Sequence, residues 1–379
     1  MVVKYRVVKQ AQSSKARIGE IITDHGKFET PAFMPVATAG AIKGVSPDEA
    51  TDAGVEVILA NTYHLYLRPG HRLIEKLGGL HRFMNWSGPI LTDSGGFQIY
   101  SLSKLRTISA DGVTFRSHID GSTHFLSPEK VMEIQSALGA DIVMALDECA
   151  PANADHDYML NSVGLTEQWA RRCMAHKKDD AQALFGIVQG GTYQELREMS
   201  AIGLVSMNFD GYALGGLSVG EDRSTREKII RFTRELLPDN KPVYLMGVGT
   251  PEDILGSVNL GVDMFDCVIP TRNARNGMLF TSKGKLVIKN AQFAEDSAPI
   301  EEGCGCHVCS HYSRAYLRHL FLANEILAFR LNTIHNLYYY AKLMSKMRQA
   351  IREDRLAEFS RDFYAQRSNT EETRGAKTL

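Results

Sequence analysis

The chain has 379 residues, 44% hydrophobic and 23% charged, with a formal net charge of -1. That apolar fraction supplies a sizeable core and excludes disorder as a description of the whole chain. A near-zero charge gives no global footprint of nucleic-acid binding, so composition alone favours a small-molecule enzyme in one large domain or two.

The stretch from Met1 to Lys15 carries basic residues but no apolar run long enough for a signal peptide. From about Gly54 to Val268, short apolar runs alternate with helix-patterned stretches. Strands are predicted at 55–60, 89–92, 141–146, 184–188, 211–214, 242–246 and 262–265. Each is apolar on both faces, as strands covered on both sides of a parallel sheet must be. Ser127-Pro128-Glu129 and Thr250-Pro251-Glu252-Asp253 open helices: a capping hydroxyl, a proline in the first turn, then acids near the positive helix end. Gly139 and Gly261 stand where those helices should stop.

Polar or small residues follow the apolar runs: Asn61, Asp93, Asp147, Gln189, Gly215 and Gly216, Gly247 and Asp266. An open doubly wound sheet concentrates its chemistry at one switch point. A barrel gathers it from the ends of many strands, and that is the pattern here. No glycine-rich dinucleotide fingerprint follows an early strand.

After Asp266 the texture changes. From Cys267 to Asn290 there are five basic residues (Arg272, Arg275, Lys283, Lys285, Lys289) and no acid. A small nucleic-acid partner needs only such a local field, so the neutral total does not exclude RNA. A long helical pattern runs from about 323 to 363, and the last dozen polar residues are expected to fray. No apolar window is long enough to cross a bilayer, which points to a soluble cytoplasmic protein with no membrane partner.

Of six cysteines, Cys149, Cys173 and Cys267 are isolated, while Cys304, Cys306 and Cys309 are crowded together. This spacing reads as a metal site in a reducing compartment rather than a disulfide framework. Three thiolates so close suit one tetrahedral Zn²⁺ in a structural role, and a fourth ligand comes from His307, His311, His319 or His335. Asp93, Asp147 and Asp266 each follow a buried strand and converge on one barrel mouth. Two carboxylates flanking a glycosidic bond are the equipment of retaining glycosyl chemistry, and a third is free to accept hydrogen bonds from a base. Spacing does not say which acid does which task.

Together the motifs resemble the tRNA-guanine transglycosylase (queuine tRNA-ribosyltransferase) family in its bacterial form, over about 28–341. They are Pro31-Ala-Phe-Met-Pro-Val36, Asn61-Thr-Tyr-His-Leu65 with Leu67-Arg-Pro-Gly70, and Thr92-Asp-Ser-Gly-Gly-Phe-Gln98. Asp147-Glu-Cys149, Gly186-Ile-Val-Gln-Gly-Gly191, Gly215-Gly-Leu-Ser-Val-Gly-Glu221 and Asp263-Met-Phe-Asp-Cys-Val-Ile-Pro-Thr-Arg272 continue the series. The cysteine knuckle and His335 complete it.

The resemblance implies an irregular (β/α)8 TIM barrel, a single catalytic domain over 1–379 with an inserted zinc-binding subdomain at 291–341. It implies a pentosyltransferase of queuosine synthesis that exchanges the wobble guanine of tRNAs with GUN anticodons. Those are the tRNAs for aspartate, asparagine, histidine and tyrosine, and the incoming base is 7-aminomethyl-7-deazaguanine (preQ1). The exchange runs by double displacement through a covalent enzyme–tRNA intermediate. Asp266 is then the nucleophile and Asp93 the general acid/base. Ser94, Gly95, Gly96, Asp147, Gln189, Gly216 and Leu217 surround the base, with Phe97 and Met246 sandwiching it.

Anticodon-loop contacts fall to Gly247, Val248, Gly249, Thr250, Pro251, Glu252 and Asp253, and to Thr271, Arg272, Asn273, Ala274 and Arg275. Zn²⁺ falls to Cys304, Cys306, Cys309 and His335, and the assembly is a homodimer. Cys149 and Val219 stand where bacterial members differ from eukaryotic ones, and the bulk of Val219 disfavours the cyclopentenediol of queuine.

Overall fold

A computed structural model describes residues 3–102, 105–151, 153–178 and 181–375, with side chains to 367. Eight parallel strands form its centre: β1 (Ala32–Pro35), β2 (Ile58–Ala60), β3 (Ile90–Thr92), β4 (Ile142–Met144), β5 (Ala183–Val188), β6 (Gly211–Leu214), β7 (Val243–Leu245) and β8 (Met264–Cys267). Their order is β1-β8-β7-β6-β5-β4-β3-β2. A parallel bridge from Val36 to Leu59, with the Ala37 N–H donating to the Leu59 carbonyl at 2.6 Å, closes the two ends. The expected (β/α)8 barrel is present.

Seven of these strands fall where the apolar runs predict them. β1 is the addition, and its shortness between Pro31 and Pro35 explains why it lacks a strand signature. Met34, Leu59, Leu91, Met144, Phe185, Ala213, Tyr244 and Met264 fill the barrel interior. An antiparallel sheet (Lys4–Gln10, Arg17–Thr23, Gly26–Thr30) closes the floor and adds Ile21 and Phe28 to that core. Its anchor is Arg17, which donates to both carboxylate oxygens of the buried Asp263 at 2.9 and 2.6 Å. Tyr5 and the Val243 amide also donate to Asp263, so the buried pair is fully hydrogen-bonded.

Helix starts follow the expected chemistry. Ser127 accepts the Lys130 N–H ahead of helix Pro128–Leu138, which ends on a left-handed Gly139 at φ 72°. Thr250 caps Pro251–Asn259 in the same way, and Gly261 just beyond has φ 90°. The helical pattern at 323–363 is two helices, Ile326–Arg352 and Leu356–Gly375. Asp354 breaks it at φ 54°, a conformation that a short polar side chain tolerates, and its carboxylate accepts from Lys9 and Gln12. Residues 376–379 of the tail expected to fray lie outside the described residues.

A second, smaller core lies beside the barrel. It joins Leu279 and Leu286 of a hairpin, Val308, Leu317 and Leu320 of two short helices, and Leu331 and Ile334 of Ile326–Arg352. Among the described residues no helix is long and apolar enough to cross a membrane.

Candidate active site and metal centre

The C-terminal ends of the barrel strands bring the polar residues to one mouth. Asp93, just beyond β3, is 7% exposed. Its Oδ2 accepts Asn61 Nδ2 at 2.5 Å, its Oδ1 accepts the Thr62 N–H at 2.8 Å, and the Thr62 hydroxyl donates to its carbonyl. Burial raises the carboxyl to about 6, and the charge of Asp266 adds to the rise. Asn61, Thr62 and Gln98 pull the other way. A carboxyl balanced near neutrality both donates and accepts protons.

Asp266 lies in β8 and is raised by burial, opposed by two hydrogen bonds. Both end on Oδ1: the Tyr244 hydroxyl donates at 2.6 Å and the Gly247 N–H at 2.8 Å. Among the described residues, Oδ2 receives no hydrogen bond. The two carboxyls are thus held differently, one gripped on both oxygens and one on a single oxygen.

Asp147 follows β4 and is also raised by burial. Ser94 Oγ donates to its Oδ1 at 2.8 Å and Gln189 Nε2 to its Oδ2 at 2.8 Å. A Cβ at Gly96 would stand 2.7 Å from the Asp147 carbonyl, and one at Gly216 (φ 63°) would stand 2.4 Å from Gln189 Oε1. Only glycine allows both approaches. Leu217 is buried, Met246 is half-buried at the end of β7, and Phe97 is half exposed on helix Gly96–Leu102. At Gly95 (φ 83°) an added Cβ would stand 3.4 Å from the Tyr63 nitrogen. Beyond Leu217, Glu221 accepts the Ser218 and Val219 amides and fixes that loop.

Two residues that matter here carry no sequence signal. Tyr244 reads as one apolar residue of a strand. Arg197 reads as a solvated helix residue, yet it is fully buried. It donates to the carbonyls of Gly191 and Val188, each at 2.8 Å, and lies 3.5 Å from that of Gly216. It therefore ties the loop carrying Gln189 to the loop carrying Gly216.

In the segment 247–253, Val248 and Pro251 are buried and Thr250 caps its helix. Tyr340 donates to the Gly249 carbonyl, Arg367 pairs with Glu252, and Arg226 with Asp253. Helix Ile269–Arg275 buries Thr271 and Ala274, half-buries Asn273, and exposes Arg272. Arg275 donates to the Thr271 carbonyl at 2.9 Å. Lys283, Lys285 and Lys289 are exposed nearby in sequence, so the acid-free stretch is a basic surface.

Cys304, Cys306, Cys309 and His335 bring their ligand atoms within 4.8 Å of one another. His335 Nδ1 is 3.5 Å from Cys306 Sγ and 3.4 Å from Cys309 Sγ. Its Nε2 lies 2.8 Å from the Phe280 carbonyl. A carbonyl only accepts, so Nε2 carries the proton and Nδ1 offers its lone pair to a metal. Of the four candidate histidines, His335 alone joins the cluster. His307 and His311 instead lie against each other in a tilted pair, ring centroids 4.4 Å apart. Three thiols and a correctly turned imidazole are a complete tetrahedral donor set, with no position left open.

Fold and site together define a (β/α)8 barrel whose mouth gathers three carboxyl groups from the ends of its strands. Residues 12–369 match the family described as Queuine tRNA-ribosyltransferase. A queuine tRNA-ribosyltransferase from Caldanaerobacter subterraneus subsp. tengcongensis is 61% identical over 362 residues, covering 95% of this chain and 96% of the relative. One from Thermoanaerobacter sp. is 59% identical over 371 residues, 98% of this chain and 99% of the relative. Another from Bacillus licheniformis is 54% identical over 363 residues, 96% and 95% of the two chains. The chain belongs to the queuine tRNA-ribosyltransferase family and is a transferase of tRNA modification.

Proposed function

We propose that this enzyme exchanges the wobble guanine of GUN-anticodon tRNAs for preQ1 by double displacement. The observation that carries the reading is the unequal treatment of two carboxyls, Asp93 buried and Asp266 partly buried. Asp266 is anchored through Oδ1 and leaves Oδ2 for attack, while Asp93 is tuned to about 6 for proton transfer.

Asp266 Oδ2 attacks C1′ of the wobble nucleotide as the bond to guanine breaks, and Asp93 protonates the departing base. A ribosyl ester with inverted configuration results. PreQ1 then loses its N9 proton to Asp93 and attacks C1′, which expels Asp266 and restores the β-configuration. The guanine must first leave its stack and enter the pocket. There Asp147, Gln189, the Gly216 amide and the Leu217 carbonyl read its edge, between Phe97 and Met246. Ser94, Gly95 and Gly96 shape the wall. Water has to be excluded, because hydrolysis of the ester would leave an abasic tRNA.

Residues 247–253 and 271–275 take the anticodon loop, with Arg272 and Arg275 on its phosphates or base edges. One catalytic domain spans 1–379. Its subdomain at 291–341 holds a structural Zn²⁺ on Cys304, Cys306, Cys309 and His335. The enzyme works as a cytoplasmic homodimer, and Val219 with Cys149 supports preQ1 over queuine as substrate.

The test is incorporation of radiolabelled guanine into a tyrosine tRNA transcript, with preQ1 and queuine as competitors. The parent should label the wobble position and Asp266→Asn should not. Labelling by Asp266→Asn at the parental rate would remove it as nucleophile. Release of guanine without any acceptor base would make the enzyme a hydrolase.

A further inference from the structure

One guanidinium joins two loops of the barrel mouth. The loop after β6 carries Gly216 and Leu217 and ends at Glu221. The segment 247–253 follows β7 and ends at Asp253, in the first turn of helix Pro251–Asn259. Between them stands Arg226, in the first turn of helix Arg223–Glu235. Its Nη1 lies 3.4 Å from Glu221 Oε1 and its Nη2 lies 2.8 Å from Asp253 Oδ1. The side chains of Glu221, Arg226 and Asp253 are only 7%, 10% and 15% exposed. Arg223 also approaches Asp253, at 3.5 Å, but it is 42% exposed and pairs more closely with Glu227, at 2.8 Å.

Each carboxylate holds backbone on which the site depends. Glu221 accepts the Ser218 N–H at 2.5 Å and the Val219 N–H at 3.1 Å. Ser218 stands at φ 62°, a left-handed conformation that costs a residue with a Cβ, so this turn persists because Glu221 holds it. On the other arm, the Asp253 N–H donates to Thr250 Oγ, which ties the carboxylate to the segment before it. That segment begins with the Gly247 N–H that donates to Asp266 Oδ1. Two desolvated carboxylates thus share one cation, and neither can leave it without stranding charge. The guanidinium is planar and rigid, so a displacement of one carboxylate is passed to the other.

We infer that Arg226 is a positioning residue that couples the seat of the anticodon loop to the pocket for the base. The inference rests on the proposed placing of that loop on 247–253. Seated RNA restrains the segment and, through Asp253 and Arg226, holds Glu221 where it fixes the turn beside Gly216 and Leu217. A base then meets a wall that is already ordered and binds more tightly than it does to the free enzyme. Linkage makes the effect reciprocal, so a bound base tightens the RNA by the same factor.

The test is equilibrium dialysis of radiolabelled guanine against the full-length protein, alone and saturated with an anticodon stem-loop. The stem-loop carries a reduced abasic nucleotide at the wobble position, which leaves the base pocket free. The parent should bind guanine at least about tenfold more tightly with the stem-loop than without it. In Arg226→Gln this ratio should fall at least about fivefold. Glu221→Gln and Asp253→Asn each break one arm and should lower it too; they decide the matter if a thermal melt shows Arg226→Gln to be unfolded. A role in the fold alone would weaken both guanine affinities together and keep the ratio. A parental ratio retained in the folded variants therefore overturns the inference, as does a ratio of one in the parent. Labelling of tRNA by the parent, measured separately, reports on the exchange reading, so the two fail apart.

Discussion

Replacing Tyr244 by Phe deletes one oxygen from the barrel interior and isolates the environment of Asp266. Tyr244 has no exposed surface, so its ring stays where the surrounding core holds it. The loss is the 2.6 Å hydrogen bond to Asp266 Oδ1, with the Gly247 N–H left as the remaining donor. A hydrogen bond to a charged group contributes about 1.5–3 kcal/mol, and about 1.4 kcal/mol corresponds to one pKa unit. The Asp266 carboxyl, already raised by burial, should therefore climb by roughly one to two further units. In the proposed mechanism Asp266 attacks as the carboxylate, so activity should be present above its pKa and lost as pH falls through it. In Tyr244→Phe the acid limb of kcat/KM for guanine exchange should move up by about one to two pH units. The plateau at high pH should stay within about tenfold of the parent, because the nucleophile itself is intact. The assay is exchange into tRNA from pH 5 to 9, with a thermal melt to show that the variant is folded. An acid limb that stays at the parental pH in a folded variant would assign that limb to Asp93 and refute the reasoning.

The remaining expectations concern stability, metal and tRNA. Asp93 is raised from 3.8 to about 6, so it favours the fold below the unfolded value and costs stability as pH rises through 6. Asp93→Asn should gain on the parent by about 3 kcal/mol between acid and neutral pH, read by urea unfolding at the two ends, while losing exchange activity. A pH-independent difference would contradict the burial account. Cys306→Ser should empty the cysteine site and expose the second core to limited proteolysis; unchanged metal content would sink the assignment. Arg272→Ala should lower the slope of log affinity for tRNA against log salt by about 0.7–0.9, whereas an unchanged slope would remove it from the phosphate contacts.

The barrel was legible because strands buried on both faces advertise themselves as apolar runs, each closed by a polar residue at its C-terminal end. β1 was not, since two prolines frame it and four residues carry no periodicity. The turn at Asp354 was hidden because apolar spacing continues across it. Among the four histidines near the knuckle, spacing left the ligand open, and only the direction of Nδ1 decides it. Arg197 and Tyr244 were invisible for a further reason. Their importance lies in atoms that they hold in place, the carbonyls of two loops and one oxygen of Asp266, and sequence does not record those pairings.

The hydrogen bond between Gln189 and Asp147 bears on how an exchange reaction survives its midpoint. After one base has left and before the next arrives, the pocket walls have nothing to bind, and two desolvated polar groups would face an empty space. Here they turn to each other. On the proposed double displacement, the ester would then wait without water being drawn in to satisfy them, which is the event that would destroy it. The same arrangement sets a threshold for entry. A base has to offer Gln189 and Asp147 at least what they already give one another, so one lacking the matching donors and acceptors gains nothing by separating them.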